Sequence, residues 1–279
     1  MKILVTGANG YIGTGVVEAL LNLHQEVVAT DFSCDRVDAR AVLEPANIFE
    51  IEEPYTYFGQ PDAVLHLAWR NGFVHNAPTH LQDLPYHYEF LEKLCNAGIK
   101  KIVALGTMHE IGFYEGCIKA DTPCNPQSLY GVAKNALRQS LFALTEKNKT
   151  AFQWLRGYYI VGNSEYGQSI FAKITAAEKE GKASFPFTTG KNQYDFVDYD
   201  AFCSQIAEVT VNNITLGIIN CCSGEPVSLA NRVERFIKEN NYKIKLDYGK
   251  FPDRPYDSKA VWGDAGLINK IIEQNHKDN

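Results

Sequence analysis

The N-terminus constrains this chain more than any other stretch. An apolar strand centred on Ile3–Val5 runs straight into Gly7, Gly10 and Gly13, and then into a periodic apolar helix carrying Val16, Val17, Leu20 and Leu21. The spacing is G-x-x-G-x-x-G rather than the commoner G-x-G-x-x-G. The first glycine permits a tight turn after the strand. The second lets backbone amides approach a pyrophosphate with no Cβ between them. The third lets the helix pack closely on the sheet, with the positive end of its dipole toward the phosphates. A strand, a glycine turn and a helix in this order point to a dinucleotide site and to a parallel α/β fold built around it.

The next strand, Glu26–Asp31, ends in a carboxylate about twenty residues beyond the glycine loop, where an acidic group accepts both ribose hydroxyls of NAD and repels the extra phosphate of NADP. Phe32, Ser33 and Cys34 follow it, Arg36 stands further on, and the glycine loop holds no basic residue, so NAD(H) is favoured over NADP(H). A net charge of −6 without long charge runs argues against nucleic acid or an anionic membrane as the main partner. No apolar run approaches the length of about 18 residues that a membrane span requires. The chain starts directly on a strand, which leads us to expect no signal peptide. Seven cysteines without a C-x-x-C pair suit free, buried thiols in a reducing cytoplasm. His75, His80 and His87 do not have a familiar metal spacing, and we expect no metal site.

Strands and helices alternate along the first half: strand 2–6, helix 12–23, strand 26–31, strand 62–68, helix 80–97 containing Pro85, strand 101–107, a long helix over about 127–147, and a strand from 152 to 159. The long helix has Leu129, Val132, Ala133, Ala136, Leu137 and Leu141 on its apolar stripe. This pattern predicts a doubly wound parallel sheet of Rossmann type with helices on both faces and ligands beyond the carboxyl ends of the strands, where Gly7 and Thr107 fall.

Tyr130 and Lys134, four residues apart, share one face of the long helix. A free phenol, with a pKa of about 10, is a poor proton donor or acceptor at neutral pH. An ammonium one turn away favours the phenolate and makes the group usable at a carbon that gains or loses a hydride. Thr107 supplies a hydroxyl that orients the reacting oxygen. Lys134 is also placed to hold the nicotinamide ribose.

These residues resemble the extended short-chain dehydrogenases/reductases that modify nucleotide sugars, over nearly the whole chain. Thr6–Gly13 looks like the cofactor loop of that family, 65–68 like the strand passing the cofactor, 105–112 like the active-site strand and turn, and 126–134 like the N-P-x-x-x-Y-x-x-x-K segment. Residues 155–156 and 161–162 resemble its exit from the cofactor domain, 195–197 its return strand with 220–228 after it, and 254–257 with Trp262 and Asp264 its R-P-x-D…W-x-D stretch. The resemblance implies cofactor contacts at Gly7, Asn9, Gly10, Tyr11, Ile12, Gly13, Asp31, Phe32, Leu67, Ala68, Tyr130 and Lys134. It implies catalysis by Thr107, Tyr130 and Lys134, and substrate contacts at Met108, His109 and Arg254, the arginine gripping a diphosphate.

Departures from the family pattern narrow the activity. The 4,6-dehydratases carry Asp-Glu directly after the active-site Thr, where this chain has Met108 and His109, so that elimination lacks its acid and base. Tyr194 stands where many epimerases have Arg, and the region 162–191 is short for an epimerase. The leading expectation is therefore a reductase of a 4-keto (6-deoxy) nucleotide sugar. A 4-epimerase and a non-catalytic dinucleotide sensor are the alternatives. The expected domains are a cofactor domain (1–159 and 191–220) and a small substrate lobe (160–190 and 221–279). A homodimer through the helices near 80–97 and 127–147 is also expected.

Overall fold

Strands buried on both sides need helices on both sides, and the computed structural model, which describes residues 1–163, 165–253 and 257–277, has them. Seven strands pair in parallel in the order Gly217–Cys221, Ala151–Gly157, Lys101–Thr107, Ala63–His66, Lys2–Thr6, Glu26–Thr30 and Val42–Leu43. Side chains alternate between the faces, as a pleated strand requires. Ile3 and Val5 pack with the helices Gly13–Asn22, Tyr199–Val211 and Gly266–Lys277, while Leu4 packs with Thr79–Asn96 and Leu129–Asn148. This is the Rossmann-type doubly wound sheet that the alternation of the sequence predicts.

Lys2–Thr6 pairs with Glu26–Thr30 on one side and Ala63–His66 on the other, so the strand order reverses beside it. A crevice opens at such a reversal, beyond the carboxyl ends of the strands. Gly7 and Ala68 lie at its mouth.

A second sheet covers that end. It runs Pro226–Ser228, Gln193–Asp198, Ala260–Gly263 and Gly116–Ile118, with Tyr159–Val161 joined to Gln193–Asp198. Asp195, fully buried, fastens it: its carboxylate accepts from the Ser223 amide (2.8 Å) and hydroxyl (2.7 Å), the Gly224 amide (2.9 Å) and the Gly263 amide (3.1 Å). Segment 191–220 contributes to both sheets, since its strand Gln193–Asp198 pairs in the second and Gly217–Cys221 in the first. The C-terminal helix Gly266–Lys277 buries Ile268 and Ile271 against the main core.

Local details agree with the chemistry of the sequence. Pro85 sits inside Thr79–Asn96, on an exposed position of a helix that continues through it. Val132, expected on the apolar stripe, is 39% exposed, because the buried face of its helix runs through Ala133, Leu137, Leu141 and Leu144. All seven cysteines are free, five of them buried. Among the described residues, no helix is long and apolar enough to cross a membrane.

Candidate active site

A cleft of about 1520 Å³ lies between the two sheets and runs from Asp31 past the glycine loop to Thr107, Tyr130 and the aromatic wall of the second sheet. Gly7 has φ +69°, and a Cβ there would fall 2.6 Å from the Ala68 amide nitrogen. A Cβ on Gly13 would meet the Gly7 carbonyl oxygen at 2.1 Å. The loop can therefore exist only with glycine at these positions, and it leaves a cradle of bare backbone at the start of the helix Gly13–Asn22. Leu67 and Ala68 form the opposite wall, with the Ala68 amide donating to the Thr6 hydroxyl at 3.3 Å.

At the far end of the loop, Asp31 accepts from the amides of Asn9 (3.1 Å) and Phe32 (2.8 Å), and Phe32 is 77% exposed at the cleft edge. The Asn9 side chain bonds to Ser33 and Asp35 (2.9 Å each) and accepts from the Arg36 amide (2.9 Å). It therefore organises the 33–36 turn. Arg36, distant in sequence, folds back so that its guanidinium donates to the Asn9 carbonyl and lies 4.7 Å from the centre of the Tyr166 ring. Tyr11 ties the loop to the second sheet: its hydroxyl donates to the Gly162 carbonyl (2.7 Å), and its own carbonyl accepts from the Tyr199 hydroxyl (2.7 Å). Ile12 packs on the main core. A backbone cradle flanked by two carboxylates, Asp31 and Asp35, fits a dinucleotide whose adenosine ribose carries no phosphate.

Thr107 ends its strand with its hydroxyl accepting from the His109 amide (3.2 Å) and hydrogen-bonded to the Tyr130 phenol. Three groups fix the start of the helix Leu129–Asn148. Ser128 accepts from the Gly131 amide (3.2 Å), the His75 carbonyl from the Tyr130 amide (2.8 Å), and the Asn76 side chain from the Leu129 amide (3.2 Å). Gly131 lets this helix approach the active-site turn, since a Cβ there would meet the His109 carbonyl oxygen at 2.4 Å. Lys134, 3% exposed, donates to the Leu105 carbonyl at 2.8 Å.

Burial dominates the electrostatics of the pair. It pushes the Tyr130 phenol up to about 12, against the Thr107 hydrogen bond, and pushes the Lys134 ammonium down to about 7, against the nearby Glu110 carboxylate. The sequence leads one to expect the lysine to draw the phenol downward. In the folded protein desolvation outweighs it, and Tyr130 stands as a protonated acid.

Glu110 is a residue that the sequence reading missed. Fully buried at the end of the Met108–Glu110 turn, it accepts from Arg156 Nε (2.6 Å), itself fully buried, and from Trp154 Nε1 (3.0 Å). The only hint was a charged residue in an apolar setting, whose partner lies on a neighbouring strand far along the chain.

Tyr159, Tyr194 and Phe196 wall the end of the cleft formed by the second sheet, with ring centres 5.0 Å (Tyr159–Tyr194) and 5.8 Å (Tyr159–Phe196) apart. Met108 lines the cleft but is 7% exposed, packed among Ile111, Ile118, Tyr158 and Val261. The His109 ring centre lies 4.3 Å from that of His75 and 6.2 Å from that of Tyr130. Burial, with His75 adding to it, pushes His109 down to about 4, so it is neutral at physiological pH. Among the described residues, the lysines and arginines lining the cleft are Lys134 and Arg70, and Arg70 is paired with Asp83. Arg254 lies outside the described residues.

Known proteins resemble this chain in sequence and fold. A dTDP-6-deoxy-L-talose 4-dehydrogenase (NAD(+)) of Aggregatibacter actinomycetemcomitans is 45% identical across 94% of this chain and 99% of its own. A UDP-glucuronate 4-epimerase of Thermodesulfobacterium geofontis is 25% identical across 96% of this chain and 89% of its own. The crystal structure of a UDP-glucuronic acid 4-epimerase from Bacillus cereus, in complex with UDP-glucuronic acid and NAD, superposes with a TM-score of 0.82 at 20% identity, covering 98% of this chain and 93% of that one. Residues 3–220 match the NAD dependent epimerase/dehydratase family. With that match spanning most of its length, the chain belongs to the NAD-dependent epimerase/dehydratase family of enzymes.

Proposed function

We propose that this enzyme carries out NAD-dependent redox chemistry at C4 of a nucleotide-diphosphate sugar, and that its net reaction is reduction of a 4-keto-6-deoxy sugar, or the reverse oxidation. The observation that carries net redox is the relative at 45% identity, which matches almost end to end and is itself a 4-dehydrogenase of a 6-deoxy sugar nucleotide. The site is consistent with it. The aromatic wall of Tyr159, Tyr194 and Phe196 suits a methyl group at C5, and of the described lining cations Arg70 is paired with Asp83 and Lys134 is held on the Leu105 carbonyl.

When bound, the reduced cofactor supplies the hydride for C4. Thr107 then holds the carbonyl oxygen, and Tyr130 donates a proton to it as negative charge develops. Tyr130 is fitted to this direction because burial keeps its proton on at neutral pH. Lys134 places a positive charge beside the phenol and lowers the cost of the phenolate left behind. Asp31 selects the unphosphorylated ribose, and Arg254 would hold the substrate diphosphate. We further propose a cytoplasmic setting, which the seven free thiols suit, and a homodimer joined through Thr79–Asn96 and Leu129–Asn148, whose outer faces expose Leu81, Tyr86 and Val132. Sedimentation as a monomer at micromolar concentration would remove the dimer.

A 4-epimerase is the second reading, and by number the comparisons support it more broadly than net reduction. The more distant relatives and the solved structures are predominantly 4-epimerases. The same Thr107, Tyr130 and Lys134 would serve oxidation followed by reduction on the other face. An absorbance assay with NADH and a panel of 4-keto-6-deoxy nucleotide sugars separates the two. Stoichiometric loss of NADH supports net reduction. A changed stereocentre without loss of NADH, together with nicotinamide retained through purification, supports the epimerase.

A further inference from the structure

Trp69 follows Ala68 at the end of the cofactor-side strand, and its indole is held on several sides. Its ring stacks on that of His87, with centres 4.5 Å apart and planes 15° from parallel. Its Nε1–H donates to His80 Nδ1 at 3.0 Å, so the proton of the neutral His80 ring sits on Nε2, where it donates to the Val74 carbonyl at 3.0 Å. His87 is held in turn by a 2.9 Å hydrogen bond between its Nδ1 and His66 Nε2. Over this clamped ring, 3.9 Å from its centre, lies the Lys134 ammonium. That is well inside the distance of about 6 Å at which a ring quadrupole attracts a cation, and the attraction is largest for indole and for desolvated pairs.

We propose that Trp69 is a positioning residue for catalysis, its π face holding the Lys134 ammonium in its charged form beside Tyr130. The argument is one of charge balance in a dry site. Lys134 has left water, and its recorded hydrogen bond goes to a single carbonyl, that of Leu105. The other charged or titratable groups near it do not all help. Glu110 favours the ammonium, while His66 and His87 are buried imidazoles whose protonation Lys134 opposes, and both stay neutral. The indole face adds attraction without a competing charge. Removing it frees the lysine to lose its proton at lower pH, by about one pH unit for a desolvated cation–π contact. Tyr130 would then lose its cationic neighbour near neutrality.

The test begins on cofactor-free protein labelled with carbon-13 at the lysine ε-carbons. A cation over an indole face has its neighbouring methylene shifted upfield by the ring current. One lysine resonance should therefore be displaced in the wild type and missing from Lys134→Met. In Trp69→Leu that resonance should return to the position of the other lysines, and its titration midpoint should fall by about one pH unit. Trp69→Phe, which keeps a ring but not the bond to His80, should retain most of the displacement. An undisplaced Lys134 resonance in the wild type would overturn the proposal even if the leucine variant does not fold. So would a folded leucine variant titrating like the wild type, or a phenylalanine variant behaving like the leucine one. The kinetic consequence rests on the proposed function: for sugar reduction, the pH above which activity declines should move down by about one unit in Trp69→Leu. A protein inactive on every sugar nucleotide would count against that function and leave the resonance result standing.

Discussion

Lys134 donates to the carbonyl of Leu105 at 2.8 Å, two residues before Thr107 on the same strand. The helix bearing the phenol and the ammonium is thereby fastened to the strand bearing the hydroxyl. The three groups form one rigid unit, and they should fail in different ways when removed singly.

Tyr130→Phe should lower kcat by roughly 10²- to 10⁴-fold while leaving NADH affinity nearly unchanged, because it removes only the proton donor. Lys134→Met should lower both. In the wild type, reduction should be full below neutral pH, decline from about pH 7 as Lys134 loses its proton, and cease in alkali, where the phenol loses its own. Oxidation of the 4-hydroxy sugar should rise with pH as the phenolate forms. Fluorescence titration of NADH and pH–rate profiles in both directions check these outcomes. Equal activity of the phenylalanine variant would remove Tyr130 from the mechanism.

Asp31 accepts from two backbone amides at the end of its strand. Asp31→Ser should weaken NAD binding about tenfold, the worth of a charge-assisted hydrogen bond, and narrow the preference over NADP. Dissociation constants for both cofactors measure this, and unchanged discrimination would place the selection elsewhere.

Glu110→Ala should destabilise the protein by about 3 to 5 kcal/mol, because it strands the fully buried Arg156 guanidinium without its carboxylate. Removing Glu165 from its exposed pair with Lys179 should cost less than about 1 kcal/mol. Urea unfolding of the two variants makes the comparison, and similar losses would contradict the role given to burial.

Three histidines link stability to acid. Burial pushes His66 down to about 3, His87 well below its ordinary value, and His109, with His75 contributing, down to about 4. The unfolded chain takes up protons near pH 6.5 and the native one does not, so the unfolded state binds more protons in between. Stability should therefore rise with pH from about 5 to 6.5, by up to about 1.4 kcal/mol per pH unit for each histidine. Urea midpoints across that window test the slope, and a flat profile would mean that these rings are protonated in the native state.

The parallel sheet and the glycine loop were readable because each rests on local chemistry: alternation of apolar residues, and glycines without which the loop cannot close. The meeting of Thr107, Tyr130 and Lys134 in one cleft was readable for the same reason, since their spacing follows from a strand end and one helical turn. What could not be read depends on residues distant in sequence. Glu110, in the turn after its strand, meets Arg156 on the neighbouring strand, Arg36 folds back onto the Asn9 carbonyl, and Trp69 finds Lys134 through tertiary packing. The sense of the Tyr130 shift was also hidden, because it depends on how completely the helix is buried.

The most direct measurement of the central claim follows the fate of the hydride. The protein would be given NADH deuterated at its transferable position, with a 4-keto-6-deoxy nucleotide sugar, and the product examined by NMR and mass spectrometry. The account predicts one deuterium at C4 for each NADH oxidised. An epimerised sugar without deuterium and with NADH unspent would contradict it and make the enzyme an epimerase.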